Sequence, residues 1–305
     1  MKRREFFVKS AGAGLGFTAV MSLGRLPAAF AATPGSAYDM AAVMGGAPDV
    51  MFDKAIRAMG GMSAYVKKGQ RVVIKPNIGW DVPPDRGANT NPLLVKRIVE
   101  HCIQAGAKEV LVFDNTCDTW TKCYKTSGIE SYVKKAGGKV VPGNTEGYYQ
   151  QVTIPQGKRL KNAKVHELVL EADVYIDVPV LKSHDSAKLT ISMKNLMGAV
   201  WDRRYWHRND LHQCIADFAT FHRKPDLVVV DAYNVMMKNG PRGISKNDIV
   251  NMKAQIVTTD MVAADAAAAK MFGVDPASIP YIRLADEAKA GTMDLQSLNI
   301  SRIKV

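Results

Sequence analysis

Cysteine is scarce in this chain. Four occur in 305 residues, Cys102, Cys117, Cys123 and Cys214, and no two form a C-x-x-C pair. A disulfide-dense scaffold is excluded, and no iron–sulfur cluster or zinc ribbon is expected from that spacing. Long apolar runs are also lacking. No uninterrupted stretch reaches the roughly 20 residues of a spanning helix, which excludes a multi-pass membrane protein. G-x-S-x-G, H-E-x-x-H and P-loop motifs are absent, which argues against a standard serine hydrolase, zinc protease or nucleoside triphosphatase. There is no internal repeat, low-complexity tract or coiled coil. What remains is ordinary globular composition, 47% hydrophobic and 23% charged, enough for one large or two small domains around a sizeable core.

The N-terminus reads as an export signal. Arg3-Arg4-Glu5-Phe6-Phe7-Val8-Lys9 has the two arginines, apolar residues and lysine of a twin-arginine motif. After it come a weakly hydrophobic stretch, Ser10 to Gly24, and an A-x-A cleavage pattern, Ala29-Phe30-Ala31. Gly12, Gly14 and Gly16 precede any strand and are not a dinucleotide fingerprint. Residues 1–31 are therefore expected to engage the twin-arginine translocation machinery and to be removed, leaving one periplasmic α/β domain at 32–305. Such export suggests a protein folded, and loaded with any cofactor, before crossing. An oxidising compartment leaves open a disulfide between Cys117 and Cys123, which flank a five-residue loop. Cys102 and Cys214 fall in expected helices and read as buried thiols.

The net charge is +12. Five of the 41 basic residues and one of the 29 acidic ones lie in 1–31, so residues 32–305 carry 36 against 28, net +8. That balance favours anionic ligands or a membrane surface. Pairs such as Lys67-Lys68 and Lys134-Lys135 read as solvated faces.

Pattern along the chain predicts strands at 38–44, 71–74, 109–113, 139–141, 173–181, 226–230 and 255–258. Helices are predicted at 49–59, 92–104 (Asn91 as cap, Pro92 at the first position), 129–135, 189–200, 211–221 and 261–271. Residues 143–170 hold a hairpin or small β insertion. This alternation predicts a largely parallel sheet with helices on both faces.

Several apolar strands run into polar residues. Val72-Val73-Ile74 leads to Lys75, Pro76 and Asn77; Val110 to Phe113 leads to Asp114 and Asn115; Val178 to Leu181 leads to Lys182, Ser183 and His184; Val228 to Val230 leads to Asp231. In a parallel α/β sheet the carboxyl ends of the strands share one edge, where ligands bind, so these residues are expected to converge. Each also has a plain reading, as a solvated lysine or an aspartate capping a helix or turn. Lys75, Lys182 and Lys194 would supply positive charge, and Asn77 and Asn195 would orient a ligand. His184 is the candidate general acid or base, with Lys182 and Asp231 beside it, and Asp114 and Asp231 would orient it or hold a metal. In the expected helix from Leu189, the stripe Leu189, Met193, Leu196 and Val200 faces the core. Lys188, Ser192 and Asn195 share another face. The first turn would join Lys182 and Lys188 in attracting a carboxylate or phosphate.

A metal site built from His184, His207 and His212, with Asp231 or Asp217, is a further option, set against ordinary surface or core histidines. Trp201-Asp202-Arg203-Arg204-Tyr205-Trp206-His207-Arg208 reads either as a lid over a planar or anionic ligand or as a loop pinned by its aromatics. Export argues against its serving nucleic acid, the other chemistry that stacked aromatics and cations suit. Asn239-Gly240-Pro241-Arg242-Gly243 is a turn cluster that either closes over the site or only turns the chain.

Together these segments resemble the domain of unknown function 362 family. The resemblance rests on Val72-Val73-Ile74-Lys75-Pro76-Asn77, Ala105-Gly106-Ala107, Val178-Pro179-Val180-Leu181-Lys182-Ser183-His184, Leu189-Thr190, Lys194-Asn195-Leu196-Met197-Gly198, Pro225-Asp226-Leu227 to Asp231, and Asn239-Gly240-Pro241. It spans about Tyr38 to Gly273. Many relatives carry a ferredoxin-type iron–sulfur module, whose cysteines this chain lacks. The family's likeness in fold to the nickel-pincer lactate racemase implies a hydroxy-acid or cofactor site. The resemblance names no reaction.

The expectation is thus an exported α/β protein with a strand-end site for an anionic small molecule or cofactor, acting as an enzyme by redox or acid/base chemistry on a carboxylate or phosphate. The alternative is a periplasmic binding or accessory protein that delivers a cofactor or metal to a redox partner protein. A purely structural partner protein is the third option.

Overall fold

The computed structural model describes residues 36–305, so the export signal expected at 1–31 lies outside the described residues. Twelve strands are formed among the described residues: β1 (Met40–Met44), β2 (Arg71–Pro76), β3 (Glu109–Val112), β4 (Lys139–Val140), β5 (Tyr149–Thr153), β6 (Asn162–His166), β7 (Val174–Val178), β8 (Val180–His184), β9 (Lys188–Thr190), β10 (Leu227–Met236), β11 (Ile249–Thr258) and β12 (Ile300–Lys304). The main sheet runs β12-β1-β11-β10-β7-β2-β3-β4. Along that path every pair is parallel except those of β11, which is antiparallel to β1 and β10. The fold class is therefore α/β with a mixed, mostly parallel sheet, as the alternation of strand and helix predicts.

Helices cover both faces. Val72 and Ile74 pack on one side with Ala41, Val43, Val229 and the helices Pro48–Ala58 and Pro92–Gln104. Val73 packs on the other with Met40, Ala42, Val228, Val230 and the helices Leu211–Ala219, Met261–Phe272 and Pro280–Glu287. This is the period-2 alternation of strands buried on both faces, and it explains why they read as continuous apolar runs. The helix Pro92–Gln104 starts as expected: Asn91 Oδ1 accepts from the Leu93 amide at 3.0 Å, with proline in the first turn. Residues 143–170 hold the β5–β6 hairpin, an antiparallel two-stranded sheet of its own.

The segment 173–184 is broken by Pro179. β10 first pairs with β7, then meets β8 with five of its residues spanning two, from Asp231 opposite Val180 to Met236 opposite Lys182. Proline cannot donate to a ladder, and after it β8 takes this displaced register and turns back through β9. This offset carries Lys182 and His184 to the end of β2.

The helix expected at 189–200 is not formed as such. Lys188–Thr190 is strand β9, antiparallel to β8. Next come a four-residue helix, Ser192–Asn195, and a 3₁₀ turn, Leu196–Ala199. The apolar stripe misled because residues 189–200 are buried on nearly every side, so helix-spaced apolar positions carry no directional information. Residues 203–208, expected in a loop, form a short helix capped by Asp202 Oδ1 on the Tyr205 amide, 3.1 Å. β10 and β11 extend beyond the expected 226–230 and 255–258, and β12 and the helices Trp120–Thr126 and Pro280–Glu287 add elements that the patterns missed.

Candidate functional site

At the carboxyl edge of β2, β3 and β8 lies a cleft of about 570 Å³. Lys75, Asn77, Asp114, Lys182, His184, Lys194 and Asn195 all line it, together with Cys117, Thr190, Arg203, Arg204 and His207. Residues more than 100 positions apart meet here because parallel strands end on one edge.

The floor is a buried polar network. Lys75 Nζ lies 2.9 Å from Asp114 Oδ1, an ion-pair contact outside hydrogen-bond alignment, and donates to Asn195 Oδ1 and the Pro76 carbonyl, both at 3.0 Å. Asp114 Oδ2 accepts the Ile78 amide at 2.7 Å. Asn195 Nδ2 donates to Asp177 Oδ1 at 2.7 Å, and Ser192 Oγ to Asp177 Oδ2 at 2.7 Å. Burial pushes the Asp177 carboxyl up to about 7, opposed by Lys75 and these two donors. The network leaves no room above it: a Cβ on Gly198 would stand 1.8 Å from Asp114 Oδ1 and 2.6 Å from Lys75 Nζ.

The cationic wall is different. Lys182 Nζ donates to Asn77 Oδ1 at 3.2 Å and to the Ala88 carbonyl, both neutral acceptors. Lys194 is half-buried, and neither ammonium pairs with a carboxylate among the described residues. Burial brings Lys182 down to about 7 and Lys194 to about 8. The Thr190 hydroxyl, on a residue only 3% exposed, lacks a hydrogen-bond partner among the described residues. Arg203 is spent otherwise: its guanidinium donates to the carbonyls of Asn115 (2.7 Å) and Thr116 (2.8 Å) and touches Cys117 Sγ at 3.6 Å.

His184 is buried at the end of β8. The Ala187 amide donates to its Nδ1 at 3.2 Å when that nitrogen is unprotonated, and Nε2 makes no hydrogen bond among the described residues. Burial and the charges of Lys194 and Lys182 hold the imidazole below its ordinary range; exposed Asp185, 2.9 Å from Nδ1, acts in the opposite sense. His184 is accordingly neutral at neutral pH. The turn 239–243 docks on this strand, with the Gly240 amide donating to Ser183 Oγ at 3.0 Å and Pro241 lining the cleft.

Other expected site residues go elsewhere. Asp231 caps backbone: its carboxylate accepts the Asn91 amide at 2.7 Å and the Tyr233 amide at 3.0 Å, away from the cleft, and burial raises it to about 6. Lys188 is exposed and donates to the Ser278 carbonyl at 2.6 Å. His212 stacks on Tyr281 at 5.9 Å, and Asp217 accepts the amides of Arg159 and Leu160. The trio of histidines does not converge, and no group of three or more His, Cys, Asp or Glu side chains suited to a metal forms among the described residues. The anion expected at a helix start near Leu189 has no place either. The short helix starts at Ser192, and its first amides, those of Ser192 and Met193, already donate to Asp265 at 2.7 and 3.3 Å.

Sequence alone gives Thr190 and Asp177 no role in the site, reads Cys117 only as a disulfide candidate, and includes Arg204 in the segment 201–208 read as a lid or a pinned loop. Asp177 carried a signal, a carboxylate inside the apolar strand Val174–Val178; Thr190 carried none. Cys117 is exposed on the cleft, while Cys123 is buried, 3.7 Å from the Gly79 carbonyl, and both are free thiols.

Residues 72–270 match the family described as domain of unknown function (DUF362). The chain belongs to that family. All of the cleft residues named above fall within the matched span. Among curated proteins, this DUF362 chain is similar to a thylakoid-associated protein of Synechocystis, 24% identical over 233 residues that cover 74% of this chain and 70% of the relative. Among solved structures it is similar to the lactate racemase apoprotein of Thermoanaerobacterium thermosaccharolyticum (14% identity, TM-score 0.45, 76% of this chain) and to a Thermotoga maritima protein (10% identity, TM-score 0.44, 73% of this chain). The chain spans only 55% and 56% of those two structures.

Proposed function

We propose that the strand-end cleft binds a small molecule bearing a carboxylate or phosphate and transfers a proton on it. One observation carries this reading: Lys182 and Lys194 present ammonium groups without counter-carboxylates, beside the unpartnered Thr190 hydroxyl, in one concave site. Uncompensated buried charge is costly, and an anionic ligand supplies the missing partner. His184, held neutral, makes a hydrogen bond at Nε2 that orients the ligand. Lys182, poised near neutrality, is the acid/base group: as the free amine it takes a proton from the ligand and as the ammonium it returns it, and a catalytic pKa close to the working pH favours transfer in both directions. Lys75 and Asn195 hold the floor rigid. The twin-arginine pattern at Arg3-Arg4 supports action outside the cytoplasm.

Isothermal titration with sulfate tests the binding half. Wild-type protein is expected to bind, and Lys182→Met and Lys194→Met to lose about tenfold or more each, the worth of a charge-assisted hydrogen bond. No heat and no thermal shift with sulfate or phosphate would overturn the proposal. The catalytic half is tested on the ligand that copurifies, identified by native mass spectrometry. His184→Ala is expected to retain that ligand and to slow its turnover, and Lys182→Met to abolish turnover. Turnover that survives in Lys182→Met overturns the assignment, and tight binding without turnover in the wild type favours a delivery protein instead.

A further inference from the structure

A second cleft, of about 760 Å³, opens between the β5–β6 hairpin and the helix Arg203–Arg208. Arg203 and Arg204 line both clefts, so the two adjoin along that pair. The second cleft is cationic after its internal pairs are set aside. Lys164 pairs with Glu146 across the hairpin, Asp202 caps the helix, and Arg203 is held by carbonyls. The side chains of Arg159, Lys161 and Arg204 remain without an ion pair or hydrogen bond among the described residues. Its two walls are tied together: the Tyr205 hydroxyl donates to the Arg159 carbonyl at 3.3 Å, and Trp201 packs on Tyr149 with ring centroids 5.4 Å apart. Tyr149 is anchored in turn by donating to the Gly143 carbonyl at 2.6 Å. The cations therefore stand on a braced surface.

We infer that the two clefts form one groove for a linear polyanion, which places one anionic group against Lys182 and Lys194 and a second against Arg159, Lys161 and Arg204. Each cleft already has the size of a small-ligand site, and a compact anion would leave one of them unused. Arg204, free and facing both, bridges the two charges of an extended ligand. This inference rests on the proposed anion site at the strand ends and adds the shape of what binds there.

The probes are sulfate, one charged centre, and tripolyphosphate, a linear polyanion, titrated into the full-length protein. Arg159→Ala/Lys161→Ala changes only exposed side chains of the second cleft. That variant is expected to bind sulfate like the wild type and to lose about tenfold for tripolyphosphate, the sum of two modest exposed charge contacts. Lys194→Met is expected to weaken both probes. Equal tripolyphosphate binding by Arg159→Ala/Lys161→Ala and wild type, with Lys194→Met still impaired, overturns the inference and leaves the strand-end site standing. Failure of sulfate to bind the wild type overturns the strand-end site and the groove with it. A circular dichroism spectrum and melting temperature like those of the wild type verify that the double variant is folded.

Discussion

Lys182 shows how one side chain can hold stability and function in opposition. Its folded pKa, about 7, lies below the ordinary lysine value because burial penalises the ammonium. Between pH 7 and the unfolded pKa the folded chain therefore binds fewer protons than the unfolded chain, and stability rises with pH through that window. Lys182→Met removes the penalty. It is expected to raise the melting temperature at pH 7 by several degrees and to flatten this rise, measured by calorimetry from pH 7 to 10. Ligand binding runs the other way, because an anion needs the protonated lysines. Sulfate, whose charge is constant here, is expected to bind best below pH 7 and to weaken as Lys182 and then Lys194 deprotonate between about pH 7 and 8. Flat affinity from pH 6 to 9 would refute their role. Gly198 makes a simpler case. Its missing Cβ leaves room for the Lys75–Asp114 pair, so Gly198→Ala is expected to cost about 3 kcal/mol or more in urea unfolding. Lysines and asparagines after apolar runs were legible in the sequence as candidates. The Thr190 hydroxyl was not, because lacking a partner is a property of surroundings.

Among the elements, the short helix Ser192–Asn195 depends on what grips it. Four residues make too little helix to persist by themselves, and Asp265, from the helix Met261–Phe272, accepts its first two amides. Asp265→Ala would leave buried N–H groups unpaired, each worth about 1–3 kcal/mol. It is expected to unfold the protein at markedly lower urea and to weaken sulfate binding through displacement of Lys194 and Asn195. Asp265→Asn keeps one acceptor and is expected to fall between; equal stability of all three proteins would contradict the role. Elements with sharp ends, such as Pro92–Gln104 with its Asn91 cap, were readable because capping is local. Residues 189–200 were not. Whether Leu189 sits in a helix or a strand depends on Lys182, which pairs with Thr190, and on Lys188, whose φ of 64° turns the chain.

For the molecule as a whole, eight of the 36 basic residues after residue 31 line the two adjoining clefts, against four acidic ones. The export proposal is testable apart from the site. Replacing Arg3-Arg4 by Lys-Lys is expected to leave the protein in the cytoplasmic fraction, whereas the unaltered chain appears, shortened, in the periplasm; secretion unchanged by the substitution would refute the twin-arginine route. The strand runs, the polarity of their ends and the family blocks from Lys75 to Pro241 are set by short stretches of chain, since apolar periodicity, caps and turns are decided by neighbours a few residues away. Which of those residues keep a bare charge is decided by packing. Lys75 finds Asn195 across 120 residues and is neutralised by Asp114, while Asp231 spends itself on backbone amides and Lys182 is left uncompensated. Burial and pairing set the energy of a charge, and both are made by segments that no local pattern connects.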